Sequence, residues 1–323
     1  MGRRYLEMGE LNVQRLCAIF PGQGSQVVGM GVDAAARFEA ARDVFTRASA
    51  ILGYDLLELQ RTGPEERLRE TQYSQPAIFA TNVALYAAAE TPDPVVSAGH
   101  SFGEICSLTI AGALSLESAV RIVDERGKAM QAAAELAPGG MSAVLGMEAE
   151  RIREIVARVR EQNGGRVQLA NFNSPSQIVI SGDLSAVQSA GEALLEGGAK
   201  RVVPLNVSGA WHSELMQPAV ERFAAAVESA DFAMPRFDVV SNVDAQPYRD
   251  VASIKRNLVR SITEEVRWHD CAQRLLSYEP DLVVEFGASA VLGPLMKRLG
   301  AQSVLNVSDA SGIEKLRGHA NVL

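Results

Sequence analysis

The chain is poor in the residues that hold metals or cross-link a fold. Its 323 residues include three cysteines, Cys17, Cys106 and Cys271, far apart and with no C-x-x-C pair. That excludes a disulfide framework or a cysteine zinc site and suits a reducing, cytoplasmic setting. Only four histidines occur, His100, His212, His269 and His319, without a metal-ligand spacing, so no catalytic metal is expected. No apolar run reaches the ~20 residues that span a bilayer, so no membrane association is expected. The opening segment MGRRYLEMGELNVQRL carries arginines, but also two glutamates and no apolar h-region. It reads as a short extension before the first strand, not as a secretory signal. Basic runs never exceed two residues and the net charge is −8, which argues against nucleic acid, because phosphate binding needs clustered positive charge.

What is present is an ordinary globular composition, 47% hydrophobic and 22% charged, in a chain long enough for a large core and more than one domain. From Leu16 to Pro138 strand and helix signals alternate, the pattern of an α/β domain with a largely parallel sheet. Cys17–Phe20 and Pro94–Ala98 read as strands. Gln75–Glu90, Ala-rich and apolar at helical spacing, reads as a buried helix. Ser115 opens a long helix toward Ala134, and Pro138-Gly139-Gly140 then breaks the chain.

The next stretch reads strand (Met141–Gly146), helix (Ala149–Gln162), strands Val167–Asn171 and Gln177–Ser181, helix (Leu184–Glu196) and strand (Arg201–Val207). That β-α-β-β-α-β order is the ferredoxin-like unit. Later strands are expected at Phe237–Ser241, Leu282–Phe286 and Ser303–Val307. The expected architecture is α/β. A large domain (1–137 and 208–323), hydrolase-like with a mostly parallel sheet and a nucleophile elbow, carries an inserted ferredoxin-like small domain (138–207), with a cleft between them. No internal repeat or low-complexity tract interrupts this order.

Gly99-His100-Ser101-Phe102-Gly103 reads G-x-S-x-G between an apolar strand and a helical run from Glu104. This is the setting of a nucleophile elbow: glycines let strand and helix pass closely, and Ser101 is presented at a helix N-terminus that favours developing negative charge. Read alone, the pentapeptide also describes a glycine-rich turn with an incidental serine. A nucleophilic serine needs a base. The His100 side chain should point away from its neighbour's, His319 is near a terminus that frays, and His269 opens an amphipathic helix as a surface or packing residue. His212 follows an apolar strand in a loop, where catalytic groups gather in α/β proteins, and is the best base by elimination. Gly22-Gln23-Gly24 does not extend to G-x-G-x-x-G, since position 27 is Val27, so a dinucleotide fingerprint is absent.

Six motifs follow one another over nearly the whole chain. They are Phe20-Pro21-Gly22-Gln23-Gly24-Ser25-Gln26, the Gly-His-Ser-Phe-Gly-Glu elbow, Arg126-Gly127, Asn171-Phe172-Asn173-Ser174-Pro175, Trp211-His212-Ser213 and Leu292-Gly293-Pro294-Leu295. As an ordered set they resemble the malonyl-CoA:acyl-carrier-protein transacylases, a family that includes polyketide synthase acyltransferases, free-standing and trans-acting ones among them. The resemblance implies a Ser101 nucleophile with His212 as base, and an oxyanion hole from the backbone N–H groups of Gln23 and Phe102. It also implies that Arg126 grips the malonyl carboxylate, a task suited to a planar guanidinium. Asn173, Trp211 and Ser261 are implied at or behind the pocket, Ser261 orienting His212 through its carbonyl. Malonyl-CoA is the implied donor and a coenzyme A thioester the only cofactor-like group, with nothing permanently bound. An acidic acyl carrier protein would dock transiently near the basic pairs Lys200-Arg201 and Lys297-Arg298, and a monomer is expected.

The chain departs from the family pattern twice. Ser261 stands where many members have Gln, and Gly287-Ala288-Ser289 lacks the usual Pro and Gly. Bulky Phe102 and Trp211 should narrow the pocket and favour malonyl over methylmalonyl, a methyl discrimination of ~1–3 kcal/mol. Other readings are a transferase for another extender or acyl unit, an acyl hydrolase clearing carrier proteins, and a non-catalytic carrier-binding module. Arg126 speaks against the hydrolase, and the intact Ser101, His212 and Arg126 against the module. The carrier protein could belong to fatty-acid or polyketide synthesis.

Overall fold

The structure is a computed structural model that describes residues 15–320; the expected N-terminal extension, up to residue 14, and the side chain of His319 lie outside the described residues. Nine strands form among them: β1 (Leu16–Phe20), β2 (Val96–Gly99), β3 (Gly139–Leu145), β4 (Val167–Ser174), β5 (Gln177–Asp183), β6 (Arg201–Pro204), β7 (Asp238–Val239), β8 (Leu282–Phe286) and β9 (Val304–Val307). β1 and β8 are buried along their whole length, as apolar strands in a sheet covered on both faces must be. They form a five-stranded parallel sheet in the order β7-β2-β1-β8-β9. Its strands come from both the early and the late parts of the chain.

The remaining strands form an antiparallel sheet, β4-β5-β3-β6. For a β-α-β-β-α-β run this is the ferredoxin-like arrangement. Ile152, Ile155 and Val159 of helix Ala149–Asn163, with Val187, Ala190 and Leu194 of helix Leu184–Glu196, close a separate core over Val144, Ile178 and Ile180.

Several boundaries differ from the sequence reading. β3 begins at Gly139, within the expected break, because Gly139 and Gly140 continue the antiparallel ladder opposite Asp183 and Gly182; a Cβ at position 139 would stand 2.6 Å from the Gly182 carbonyl oxygen. β6 ends at Pro204 instead of Val207; proline has no N–H for a ladder and belongs at a sheet edge. The strand expected at Phe237–Ser241 is reduced to Asp238–Val239, and the buried helix starts earlier, at Thr71, ahead of Pro76.

The parallel sheet positions the site. Phe20 pairs with Gly99, so the loops leaving the C-terminal ends of β1 and β2 emerge side by side, where ligands bind in open α/β sheets. The elbow itself requires its glycines. A Cβ on Gly99 would lie 1.9 Å from the Gly103 carbonyl carbon, and one on Gly103 would lie 2.4 Å from the Phe20 carbonyl oxygen.

Candidate active site

Ser101 leaves the elbow in the left-handed region, φ 55°, just before helix Gly103–Ile110. A non-glycine residue held there costs on the order of 1–3 kcal/mol and persists only where its surroundings over-determine it. Its Oγ is 2.8 Å from His212 Nε2. On the other side of the ring, Nδ1 lies 2.8 Å from the carbonyl oxygen of Ser261. A carbonyl only accepts, so Nδ1 carries the proton and Nε2 is left to accept from the Ser101 hydroxyl. Burial, followed by the charge of Arg126 and the nearby His100, pushes the His212 pKa down to about 3. The imidazole is therefore neutral near neutral pH, with its Nε2 lone pair turned to the Ser101 hydroxyl. Ser261 needs only its main chain for this contact; its hydroxyl turns back to the Leu258 carbonyl at 2.6 Å.

Arg126 projects from helix Leu116–Leu136, whose N-cap Ser115 accepts from the Ser118 N–H. It is 1% exposed. Its Nη2 donates to Ser101 Oγ at 3.2 Å, and its Nη1 is buried with no hydrogen-bond partner among the described residues. The neighbouring acids are engaged elsewhere, Asp124 with Lys128 and Glu125 with Arg222. Burial lowers its pKa to about 9, which leaves it cationic at neutral pH. The charge of buried Glu104 favours the cation, but that carboxyl is tied to Tyr248 and Asn242 and is itself pushed up to about 7 by burial. No carboxylate hydrogen-bonds the guanidinium among the described residues; a buried cation so placed is costly, and here it faces the nucleophile. The rings of Phe102 and Phe223 lie 5.9 and 6.0 Å from its guanidinium carbon.

A cavity of about 100 Å³ opens over these groups, lined by Gln23, His100, Ser101, Arg126, Trp211 and His212, with Met130, Met141, Asn171, Leu205 and Val207 closing its sides. The main-chain N–H groups of Gln23 and Phe102 make no hydrogen bond among the described residues. Gln23 is held by its side chain, Nε2 to Thr71 Oγ1 at 3.1 Å.

Other expected residues fall differently. Phe102 is buried beneath Arg126 and does not line the cavity, whereas Trp211 does. His100, expected to point away, lines the same cavity, and its Nε2 meets Asn173 Oδ1 at 2.9 Å. Asn173 therefore stands behind the cavity wall, while Asn171, which was not singled out, lines the cavity itself; the β4–β5 register shifts between Leu169 and Asn171 and again between Phe172 and Ser174. His269 packs against Phe172, ring centroids 4.9 Å apart. Ser289, in the departing loop, donates to the Ser25 carbonyl at 3.2 Å and so braces the loop that carries Gln23. Lys200, Arg201, Lys297 and Arg298 are exposed, and none lines the cavity.

Sequence reasoning also missed Gln168. Its Nε2 donates to the carbonyls of His212 and Thr263, and its Oε1 accepts the Glu214 N–H at 3.1 Å. It thereby ties β4 to both loops that hold the imidazole. The available signal was strand alternation, which puts Gln168 on the face opposite Val167 and Leu169.

Comparison with known proteins agrees with this geometry. The acyl transferase domain family matches residues 18–320. The malonyl CoA-acyl carrier protein transacylase of Bacillus subtilis is 38% identical over 94% of this chain and 96% of its own. The solved transacylase of Coxiella burnetii is 34% identical with a TM-score of 0.91, covering 95% of this chain and 98% of that one. A malonyl-transacylase solved in complex with a type II polyketide synthase acyl-carrier protein is 37% identical with a TM-score of 0.88, covering 94% and 98%. With a family model matching nearly the whole chain and a relative 38% identical over 94% of it, on a fold that brings serine, histidine and arginine into one cavity, the chain belongs to the acyltransferase family that contains the malonyl CoA-acyl carrier protein transacylases.

Proposed function

We propose that this chain moves a malonyl group from malonyl-CoA to the phosphopantetheine thiol of an acyl carrier protein through an ester on Ser101. The observation that carries the reading is Arg126, a buried cation with an unpartnered N–H beside the nucleophile. A malonyl carboxylate would supply the hydrogen-bonded anion that this N–H lacks, through charge-assisted hydrogen bonds that offset its own desolvation. An acetyl group would leave the guanidinium unpaired.

In the first half-reaction His212 Nε2 takes the Ser101 proton as Oγ attacks the thioester carbonyl. The N–H groups of Gln23 and Phe102 receive the developing oxyanion. As the carbon–sulfur bond breaks, the imidazolium returns its proton to the departing coenzyme A thiolate. In the second, His212 takes the proton of the carrier thiol, whose sulfur attacks the ester, and the proton passes back to Ser101. Coenzyme A enters only as part of the substrate, and no resident cofactor is needed. The base is oriented by a main-chain carbonyl where a serine hydrolase triad uses a carboxylate.

The carrier protein, acidic in this reading, would approach the exposed Lys200-Arg201 and Lys297-Arg298 pairs. The catalytic domain would comprise 1–137 and 208–323, with 138–207 as the inserted unit, in a monomeric cytoplasmic enzyme of fatty-acid or polyketide synthesis. The test is transfer from a panel of CoA thioesters (malonyl, methylmalonyl, acetyl) to purified holo carrier proteins, read by intact mass. Malonyl should be preferred on at least one carrier. Release of free acid without carrier acylation would instead support a hydrolase.

A further inference from the structure

Asn242 grips the nucleophile turn from both sides. It lies in Ser241-Asn242-Val243, just beyond β7, and is 1% exposed. Its Oδ1 accepts the Ser101 N–H at 2.7 Å, and its Nδ2 donates to the Gly99 carbonyl at 2.7 Å. Its own N–H donates to Glu104 Oε2 at 2.9 Å. The other oxygen of Glu104, a residue buried in the elbow helix, accepts the Tyr248 hydroxyl. The amide is thus fixed from behind by the helix that the nucleophile precedes.

Gly99 ends β2 and Ser101 is in the left-handed region, so neither regular strand nor helix pairing serves these two backbone groups. One needs an acceptor and the other a donor a short distance apart. A carboxamide offers both on one plane, and an isosteric carboxylate offers only the acceptor. The next N–H, that of Phe102, makes no hydrogen bond among the described residues.

We propose that Asn242 is a positioning residue for the reaction. Its carboxamide locks the left-handed Ser101 backbone, so that Oγ meets His212 while the Phe102 N–H stays available to the oxyanion. The proposal rests on the reading of Ser101 as the acylated residue. It distinguishes Asn242 from a residue that merely fills the core, because the lock acts on the geometry of attack and not on substrate affinity.

The experiment is rapid-quench acylation by malonyl-CoA, read by intact mass, together with steady-state transfer and thermal melting, for wild type, Asn242→Ala and Asn242→Asp. Asn242→Ala should load Ser101 about ten- to a hundredfold more slowly, the scale of a misplaced reacting group, with KM for malonyl-CoA changed less than threefold. Asn242→Asp, the same size but lacking the donor to Gly99, should also lose at least tenfold. It decides the matter if the alanine variant does not fold. Labelling by a serine-directed fluorophosphonate should slow in parallel. That readout needs no thioester, so it still tests Asn242 if wild type fails to acylate and the Ser101 reading falls. Lowered melting temperatures with unchanged loading and labelling rates per folded molecule would overturn the proposal.

Discussion

Ser101→Ala is expected to abolish acyl transfer. No malonyl mass should appear on the protein after incubation with malonyl-CoA, and carrier acylation should fall by up to ~10⁶-fold, the scale seen when a covalent nucleophile is removed. The fold should be little affected, because the hydroxyl's contacts are with His212 and Arg126 and not with the core. The left-handed backbone at position 101 is also held by groups that the substitution leaves in place. Intact mass with peptide mapping checks this. A stable malonyl adduct on the alanine variant, or undiminished carrier acylation, would remove the covalent route.

The second large effect is expected at His212. One imidazole serves both half-reactions, so His212→Ala should slow loading from malonyl-CoA and discharge to the carrier thiol together, each by several orders of magnitude. The pH dependence is a sharper check. A histidine whose pKa is lowered to about 3 stays unprotonated as pH falls. The acid limb of kcat/KM, which reports the free enzyme, should therefore show no break near the ordinary histidine value of ~6.5. The sign is fixed by the cause: burial and the Arg126 charge both disfavour the imidazolium. Single-turnover loading measured between pH 5 and 8 should be nearly flat. A fall of one decade per pH unit below 6.5 would mean that the free enzyme holds His212 in a far more polar environment.

The readable parts of the fold were those set by local pattern. Leu184–Glu196 and Leu282–Phe286 occur where apolar spacing placed them. The elbow was legible because close packing leaves glycine the only residue for positions 99 and 103. What escaped were residues whose roles depend on distant partners. Asn242 reaches Ser101 across 141 positions and Gln168 reaches Thr263 across 95, and no periodicity encodes such meetings. His100 was misjudged because neighbouring side chains diverge in regular structure, whereas the left-handed turn at Ser101 brings both toward one cavity. Asn171 escaped notice as a cavity residue because strand alternation is broken twice between Leu169 and Ser174. Phe102 was expected in the pocket from its place beside the nucleophile, but its ring serves as a floor under the guanidinium.

The central claim is that Arg126 reads a carboxylate, and kcat/KM for malonyl-CoA against acetyl-CoA in wild type and Arg126→Ala tests it most directly. Losing a hydrogen bond to a charged group costs about 1.5–3 kcal/mol, roughly ten- to a hundredfold in rate. Malonyl transfer should fall by that factor. Acetyl transfer, which makes no such contact and no longer meets a buried cation, should be unchanged or faster. The malonyl-to-acetyl ratio should therefore collapse by at least tenfold in the variant. Equal losses on both substrates, with the ratio preserved, would make Arg126 a structural residue and contradict the account.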